Sequence, residues 1–224
     1  MSTLTVGGQA LTLLPEKAAF LAESRTLLVA DVHIGKAVSF RSFGVPVPHG
    51  TTGETLSALS ILARRLDARR IVVLGDFLHS RRSLAPATMA ALARWREDHA
   101  ALDVLLVRGN HDAHAGDPPA HLGIEVVDEP FALGGLRLCH HPQSVPGAYV
   151  LGGHLHPCVG LRGRAHDRMR LPCFWFGPTV GVLPAFGAFT GMHPIRPAHG
   201  ERVFAIADAA VSELPVGVDS LCAK

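Results

Sequence analysis

The sequence is poor in several residue types and sequence patterns, and each shortage excludes some classes of protein. Its four cysteines, Cys139, Cys158, Cys173 and Cys222, form no Cys-x-x-Cys pair. This spacing argues against a zinc ribbon or a thioredoxin-like redox site, and it is sparse for a disulfide framework. We therefore expect reduced cysteines in a cytoplasmic protein. Charged residues make up only 18% of the chain and apolar residues 48%, a balance that excludes a disordered chain.

Long uninterrupted apolar runs are also missing. The most apolar tract, residues 174–189, contains Pro178, Pro184 and three glycines, whereas a membrane-spanning helix needs about 20 mostly apolar residues with an intact backbone. The first residues lack a basic segment followed by an apolar one, so we expect no secretory signal and no membrane partner. The formal net charge of +2 is by itself too small to indicate a nucleic acid or membrane partner.

Lysine is scarce and histidine is plentiful. Of the 21 basic residues, only Lys17, Lys36 and Lys224 are lysine, and the other 18 are arginine. Arginine suits bidentate phosphate contacts, but a chain rich in Arg, Ala and Gly is also what a biased genome produces, and we prefer that explanation. The 14 histidines are more informative, because histidine is the commonest metal ligand.

The chain, residues 1–224, is predicted to form one domain, because it shows no internal repeat, low-complexity block or long linker. Two helical patterns begin near Gly50 and Pro86. They alternate with three apolar runs typical of buried strands, at residues 27–30, 71–74 and 103–107. This order predicts parallel strands joined by helical crossovers. Short strands separated by Gly and Pro dominate the second half, so we expect an α/β fold of two packed sheets with helices outside.

Polar side chains follow the predicted strands at the point where each strand ends. They are Asp31-Val32-His33, Gly75-Asp76, Gly109-Asn110-His111-Asp112, His140-His141 and Gly153-His154-Leu155-His156. Because the carboxyl ends of parallel strands form the ligand crevice of α/β sheets, we expect these groups to share one rim. Oxygen and nitrogen donors without thiolate suit Mn, Fe or Zn better than an all-oxygen Mg or Ca site.

The order of these motifs resembles the calcineurin-like metallophosphoesterase superfamily. D-x-H, G-D, G-N-H-D, a strand-end His and G-H-x-H follow one another over about residues 27–156. Each motif alone occurs by chance in many proteins, whereas five in this order are specific. The resemblance implies a four-layer sandwich, in which two packed mixed β-sheets are flanked by helices, and metal-dependent hydrolysis of phosphoesters.

Further segments resemble the bacterial ligase-associated metallophosphoesterases, which are DNA damage response endonucleases. These segments are residues 28–37, 40–52, 75–81 and 183–191. The resemblance implies manganese as the cofactor, with iron and zinc as alternatives, and single-stranded or flapped DNA as the substrate. It also implies a role in DNA repair, in functional association with an ATP-dependent DNA ligase, an exonuclease and a helicase.

The same resemblance assigns roles to individual residues. One of two divalent ions would be held by Asp31, His33, Asp76 and His156, and the other by Asp76, Asn110, His140 and His154. Asp76 would bridge the two ions, and a shift from His140 to His141 stays open. Two ions roughly 3.5–4 Å apart can activate a bridging hydroxide and clamp the attacking and leaving oxygens. His111 would donate a proton to the leaving oxygen, oriented by Asp112, because a neighbouring carboxylate raises the pKa of an imidazole.

Other basic residues have two interpretations each. His79 either contacts substrate phosphate or lies on the surface, and Arg81 either steers a phosphate backbone or belongs to a solvated loop. The Arg-rich stretch 162–170 is expected to form a solvent-facing hairpin, with DNA contact as the less favoured alternative. Two alternative functions also stay open, a phosphoesterase of small molecules or nucleotides and a non-catalytic scaffold of the same fold.

Overall fold

The computed structural model describes residues 1–47, 50–162, 168–188 and 190–215. Its first sheet has seven strands in chain order: β1 (Ser2–Val6), β2 (Gln9–Leu14), β3 (Ala18–Leu21), β4 (Thr26–Ala30), β5 (Arg70–Leu74), β6 (Asp103–Val107) and β7 (Ile124–Val127). Strands β1 to β4 pair antiparallel, and β4 to β7 pair parallel. The sheet is therefore mixed, and its parallel half contains the three buried runs predicted from the sequence.

Helices occupy the crossovers of the parallel half. They are α1 (Lys36–Ser42), α2 (Thr51–Arg65), α3 (Pro86–Asp98) and α4 (Asn110–Ala115), with 3-10 turns at Arg81–Leu84 and Ala120–Leu122. Helix α2 begins after Gly50 and α3 begins at Pro86, which confirms both predicted starts. Leu59 and Leu62 of α2 and Leu92 of α3 pack on one face of this sheet. Each such leucine stabilises the fold by about 1.5–3 kcal/mol.

The second sheet contains the strands of the second half of the chain. They are β8 (Phe131–Leu133), β9 (Leu136–Leu138), β10 (Tyr149–Gly152), β11 (Pro157–Arg162), β12 (Arg168–Phe176), β13 (Val180–Val182), β14 (His193–Pro194), β15 (Arg202–Ala207) and β16 (Ala210–Leu214). The order is β14-β11-β12-β13-β10-β9-β8, and β15 joins β12 to β16. Strand β10 pairs parallel with β9 and β13, so this sheet is mixed too.

The main core lies between the two sheets. Leu28 and Leu105 of the first sheet share an apolar cluster with Phe174 and Phe204 of the second. Because side chains alternate between the faces of a strand, Cys173 and Val203 point to the other face, where a smaller cluster forms. The expectation of two packed mixed sheets with helices is confirmed. In the described ranges, helical residues pack against the first sheet, and the small outer cluster of the second sheet contains none.

Two further expectations concern parts of this fold. Cys139, Cys158 and Cys173 are buried and free, while Cys222 lies outside the described residues. Strands β11 and β12 pair antiparallel with Arg162 opposite Arg168, and the connecting residues 163–167 lie outside the described part. None of the helices that the structure describes has the length and apolar character required to cross a membrane.

Candidate metal centre and active site

Five strands end at one edge of the fold and bring the predicted ligands together. Four groups of three side chains have their donor atoms within 4.8 Å of one another. These groups are Asp31-His33-His156, Asp31-Asp76-His140, His140-His141-His154 and His33-His79-His111. Asn110 joins them because its Oδ1 lies 2.8 Å from Nε2 of His140. All seven predicted ligands thus lie in a single cluster.

The backbone turns sharply where it presents these side chains. Left-handed φ angles between 48° and 67° occur at five of the predicted ligands: Asp31, His33, Asp76, His154 and His156. This conformation costs a residue other than glycine on the order of 1–3 kcal/mol, and such strain is concentrated at functional sites. The fold therefore sacrifices stability to direct these donors to one point.

One side of the cluster is built around Asp31 and His156. Oδ1 of Asp31 lies 3.4 Å from Nε2 of His156. Nδ1 of His156 lies 3.1 Å from the carbonyl oxygen of Gly191, so an Nδ1–H that donates there leaves Nε2 free for a cation, as in many metal sites. His33 lies close by, with Nε2 3.9 Å from Oδ2 of Asp76. In the described structure, Nδ1 of His33 is buried without a hydrogen-bond partner.

The other side is built around His140, whose side chain is fully buried. Its Nδ1 lies 3.1 Å from the carbonyl oxygen of Leu74. Its Nε2 lies 3.4 Å from Oδ1 of Asp76 and 3.1 Å from Nδ1 of His154. Two imidazoles, an amide oxygen and a carboxylate therefore converge here. The structure places His140 at the centre of this group and His141 at its half-exposed margin.

Gly75 is needed for His140 to occupy this position. A Cβ at residue 75 would lie 2.1 Å from Nδ1 of His140, far inside van der Waals contact. The residue also has a φ of 76°, which glycine adopts at little cost. The Gly-Asp motif therefore provides a carboxylate from Asp76 and, directly before it, the space for an imidazole from a distant strand.

Burial sets the protonation of the cluster. It lowers the pKa of His33 to about 2 and lowers the pKa of His140, so both imidazoles are neutral and their lone pairs can bind a metal. Burial raises the pKa of the Asp76 carboxyl, and the nearby Asp31 carboxylate acts in the same direction. Neutral imidazoles and crowded carboxylates form a donor set that fits divalent cations.

The group that orients the ring of His111 differs from the one expected from the sequence. Its Nδ1 lies 2.7 Å from the carbonyl oxygen of His79, and its Nε2 lies 3.9 Å from Oδ2 of Asp76. The buried carboxylate of Asp112 instead accepts hydrogen bonds from the backbone N–H groups of Phe77, Leu78 and Gly109. The expectation that Asp112 orients His111 is corrected: a carbonyl orients the ring, and Asp112 fastens the loop after β5.

The remaining candidates divide between the cluster and the surface. The ring of His79 stacks on that of His111, with centroids 5.0 Å apart, so His79 belongs to the cluster. Arg81 is exposed at the start of its 3-10 turn, and nothing described connects it to the ligands. Of the Arg-rich stretch 162–170, the structure shows Arg170 exposed on β12, and residues 163–167 are outside its described ranges.

Two contributors were missed in the sequence. Glu129 accepts hydrogen bonds from the backbone N–H of His140 and from Nδ1 of His141, at 2.6 and 2.7 Å. Lys36 lies next to His33 at the start of α1, in a small pocket beside the cluster. Neither belongs to a metal-ligand pattern, and the Gly-Lys after the D-x-H motif was the only local signal for Lys36.

The segment 183–191 contains no predicted ligand, but two of its described residues, Phe186 and Gly187, border the cluster through their backbone. The N–H of Phe186 donates to the carbonyl oxygen of Ala30 over 2.8 Å, and that of Gly187 donates to Asp31 over 3.1 Å. The segment therefore supports the left-handed turn at Asp31. This contact gives a physical reason why a sequence without metal ligands is linked to the metal centre.

Comparisons with known proteins find a matching family and a similar solved structure. A family model described as calcineurin-like phosphoesterase matches residues 24–137. A solved structure, the nuclease MPE of Pseudomonas putida, is 46% identical in sequence, with a TM-score of 0.84. The match covers 95% of this chain and 99% of that chain. No curated protein sequence matches this chain.

Proposed function

The chain belongs to the calcineurin-like phosphoesterase family, and on that basis we propose that it is a dinuclear metal-dependent phosphodiesterase that cleaves DNA. The observation that carries this proposal is the position of Asp76. Its two carboxylate oxygens face different imidazoles, Oδ2 towards His33 at 3.9 Å and Oδ1 towards His140 at 3.4 Å. A carboxylate placed between two imidazole groups in this way would be able to bridge two cations, as in two-metal sites.

The seven predicted ligands and His111 each have a role in this proposal. Asp31, His33 and His156 would hold one cation with Asp76, while Asn110, His140 and His154 would hold the other with Asp76. Bound divalent ions supply activation of the attacking water and stabilisation of charge on the phosphoryl oxygens. His111, fixed at Nδ1 by the carbonyl of His79, presents Nε2 to donate a proton to the leaving oxygen.

The finer parts of the proposal rest on family resemblance. We propose manganese as the metal and single-stranded or flapped DNA as the substrate. We also propose a cytoplasmic role in DNA repair beside an ATP-dependent ligase, an exonuclease and a helicase. The identity of 46% with the nuclease MPE of Pseudomonas putida supports polynucleotide cleavage. The near end-to-end match supports treating residues 1–224 as one domain.

Three substrates test the proposal. The purified protein is incubated with Mn²⁺ and a small phosphodiester, a phosphomonoester, or labelled single-stranded DNA. Cleavage of the small diester and of DNA supports it. Hydrolysis of the monoester alone overturns the nuclease proposal and favours a small-molecule phosphoesterase, for which the net charge of +2 is the supporting observation.

A variant of Asp76 tests the proposed metal centre. Asp76→Asn keeps the shape of the side chain but removes its charge and one of its two oxygen donors, so the side chain can no longer bridge two cations. We expect Mn²⁺ content to fall and DNA cleavage to drop by at least about a hundredfold, more than a residue outside the ligand set would cause. Asp103→Asn, an exposed carboxylate at the start of β6, is the control. Undiminished catalysis in Asp76→Asn would overturn the assignment.

A further inference from the structure

A cavity of about 150 Å³ opens directly beside the metal centre. Its wall includes His156, whose Nε2 lies 3.4 Å from Oδ1 of Asp31. Lys17, at the turn between β2 and β3, lines another part of it. We call it the Lys17 cavity. A space of this size accepts a small organic group, and a group bound there would lie next to the reacting phosphate.

Lys17 supplies the positive charge of this cavity. The lining contains no carboxylate, and the structure shows no ion pair to Lys17 among its described residues. The neighbouring Glu16 is paired with Arg65 over 2.6 Å and so does not serve as the counter-ion. Burial lowers the pKa of the Lys17 ammonium. A partly buried cation without a counter-ion is unfavourable unless an anionic ligand completes it.

The conformation and identity of Lys17 are both unusual. Its φ of 63° is left-handed, which costs a residue with a Cβ roughly 1–2 kcal/mol. Lys17 is also one of three lysines among 21 basic residues. The two lysines that the structure describes both line pockets beside the metal centre, Lys17 next to His156 and Lys36 next to His33. Each of the two pockets that border the metal centre is therefore lined by a lysine ammonium rather than by an arginine guanidinium.

The rest of the wall is mainly apolar. Pro157, Pro172 and Met192 belong to it, and they offer a surface that suits a sugar or the face of a base. The hydroxyl of Thr190 donates to the carbonyl oxygen of Gly187 over 3.1 Å, so it is already used within the protein. Lys17 is thus the side chain that provides N–H donors to an anion bound in this cavity.

We propose that the Lys17 cavity binds the nucleotide next to the cleaved bond, with Lys17 contacting its phosphate and the prolines and Met192 packing against its nucleoside. This inference rests on the proposed nuclease function and deepens it, because it gives the enzyme a preference for a chain of phosphodiesters over an isolated one. The ligand is a phosphodiester adjacent to the scissile one in the same strand.

Substrates of different length test the assignment. A dinucleotide has only the scissile phosphodiester, whereas a longer single-stranded oligonucleotide adds neighbouring phosphates. For Lys17→Met, which keeps the length of the side chain, we expect kcat/KM on the oligonucleotide to fall about tenfold, the size of one charge-assisted hydrogen bond. We expect kcat/KM on the dinucleotide to stay unchanged. Lys17→Arg should restore most of the loss, and the exposed Arg94→Gln on α3 is the control for charge.

Binding without turnover gives a second readout. A chelator is added to prevent cleavage, and the affinity of each variant for the oligonucleotide is then measured by fluorescence anisotropy over a range of salt concentrations. Removing one phosphate contact should reduce the slope of log K against log salt by about 0.7 for a single strand. A purely structural role of Lys17 would leave this slope unchanged.

The outcomes separate this inference from the proposed function. Equal losses on dinucleotide and oligonucleotide would place the effect of Lys17 at the metal centre and overturn the cavity assignment. Unchanged oligonucleotide cleavage or an unchanged salt slope in Lys17→Met would overturn it as well. If the wild-type protein cleaves no diester, the nuclease proposal fails, while the salt slope still decides whether Lys17 contacts a phosphate.

Discussion

The carboxylate of Glu129 holds His141 by its ring and by its backbone. Oε1 accepts a hydrogen bond from Nδ1 of His141 over 2.7 Å, and Oε2 accepts one from its backbone N–H over 2.9 Å. Oε2 also accepts the N–H of His140 over 2.6 Å. Burial by itself would raise the pKa of Glu129, but these hydrogen bonds outweigh it and lower the pKa. An ionised carboxylate therefore fixes the chain at the two histidines.

We expect Glu129→Gln to weaken metal binding. The amide keeps the shape of the side chain but lacks its negative charge. Its NH2 group is also a donor, which cannot accept a hydrogen bond from the N–H groups of His140 and His141, so His140 is held less firmly. Losing such a supporting partner typically costs 10–100-fold in metal affinity, and calorimetric titration with Mn²⁺ measures it. Glu125→Gln, an exposed glutamate on β7, should bind Mn²⁺ like the wild type. Equal affinity in both variants would show that Glu129 does not position the ligands.

Gly75→Ala should destabilise the protein by more than its backbone conformation explains. The new Cβ would lie 2.1 Å from Nδ1 of His140, and overpacking of a filled interior costs about 1–3 kcal/mol. Gly44→Ala is the matched control, since Gly44 has a φ of 77° and nothing within 4 Å of its Cβ position. Urea denaturation gives the free energy of unfolding of both variants, and the difference between their losses measures the cost of the clash with His140. Equal losses of unfolding free energy would mean that His140 moves aside at no cost.

The metal centre could be predicted from the sequence because its residues directly follow buried strands. The runs before Asp31, Asp76 and Asn110 are apolar on both faces, as a parallel strand between two layers requires, and parallel strands deliver their ends to one edge. The helices beginning after Gly50 and at Pro86 were equally clear, because local signals mark a helix start.

Other features depend on tertiary contacts that leave little local trace. Strands β1, β2 and β3 were not anticipated, and β7 belongs to the first sheet beside β6 rather than to the strand-rich half. The partner of Asp112 was predicted as the adjacent His111, yet its carboxylate reaches across to Phe77 and Leu78. Glu129 bonds to His140 and His141 across the β8–β9 hairpin, and Lys17 lines a cavity with residues of the second half of the chain. No motif encodes either contact.

The buried Asp112 predicts a pH dependence of stability. Burial raises its pKa to about 6, above the value of about 3.9 in an unfolded chain. Between pH 4 and 6 the folded state therefore binds more protons than the unfolded state, and this group's contribution to stability is lost as pH rises. Its contribution is complete below about pH 4.

Asp112→Asn removes this titrating group, so a comparison of the variant with the wild type isolates the contribution of Asp112 to stability. In metal-free protein, the unfolding free energy of the wild type minus that of the variant should decrease by about 2 kcal/mol from pH 4 to pH 6. Denaturant titrations across this range measure it. A difference that instead grows with pH would show that the three N–H bonds to the carboxylate stabilise its charge more than burial opposes it.

The role of His111 can be tested through the leaving group. A nucleotide leaves as a poor alkoxide that needs a proton, whereas 4-nitrophenolate leaves unaided. If His111 donates that proton, His111→Ala should lower kcat on DNA by about 10²–10⁴-fold, the usual range for general acid catalysis, and should have much less effect on bis(4-nitrophenyl) phosphate. The exposed His121→Ala, in the 3-10 turn at Ala120–Leu122, should leave both rates unchanged. Equal losses on the two substrates would instead assign the His111 ring to binding the phosphate or to supporting Asp76, whose Oδ2 lies 3.9 Å from its Nε2.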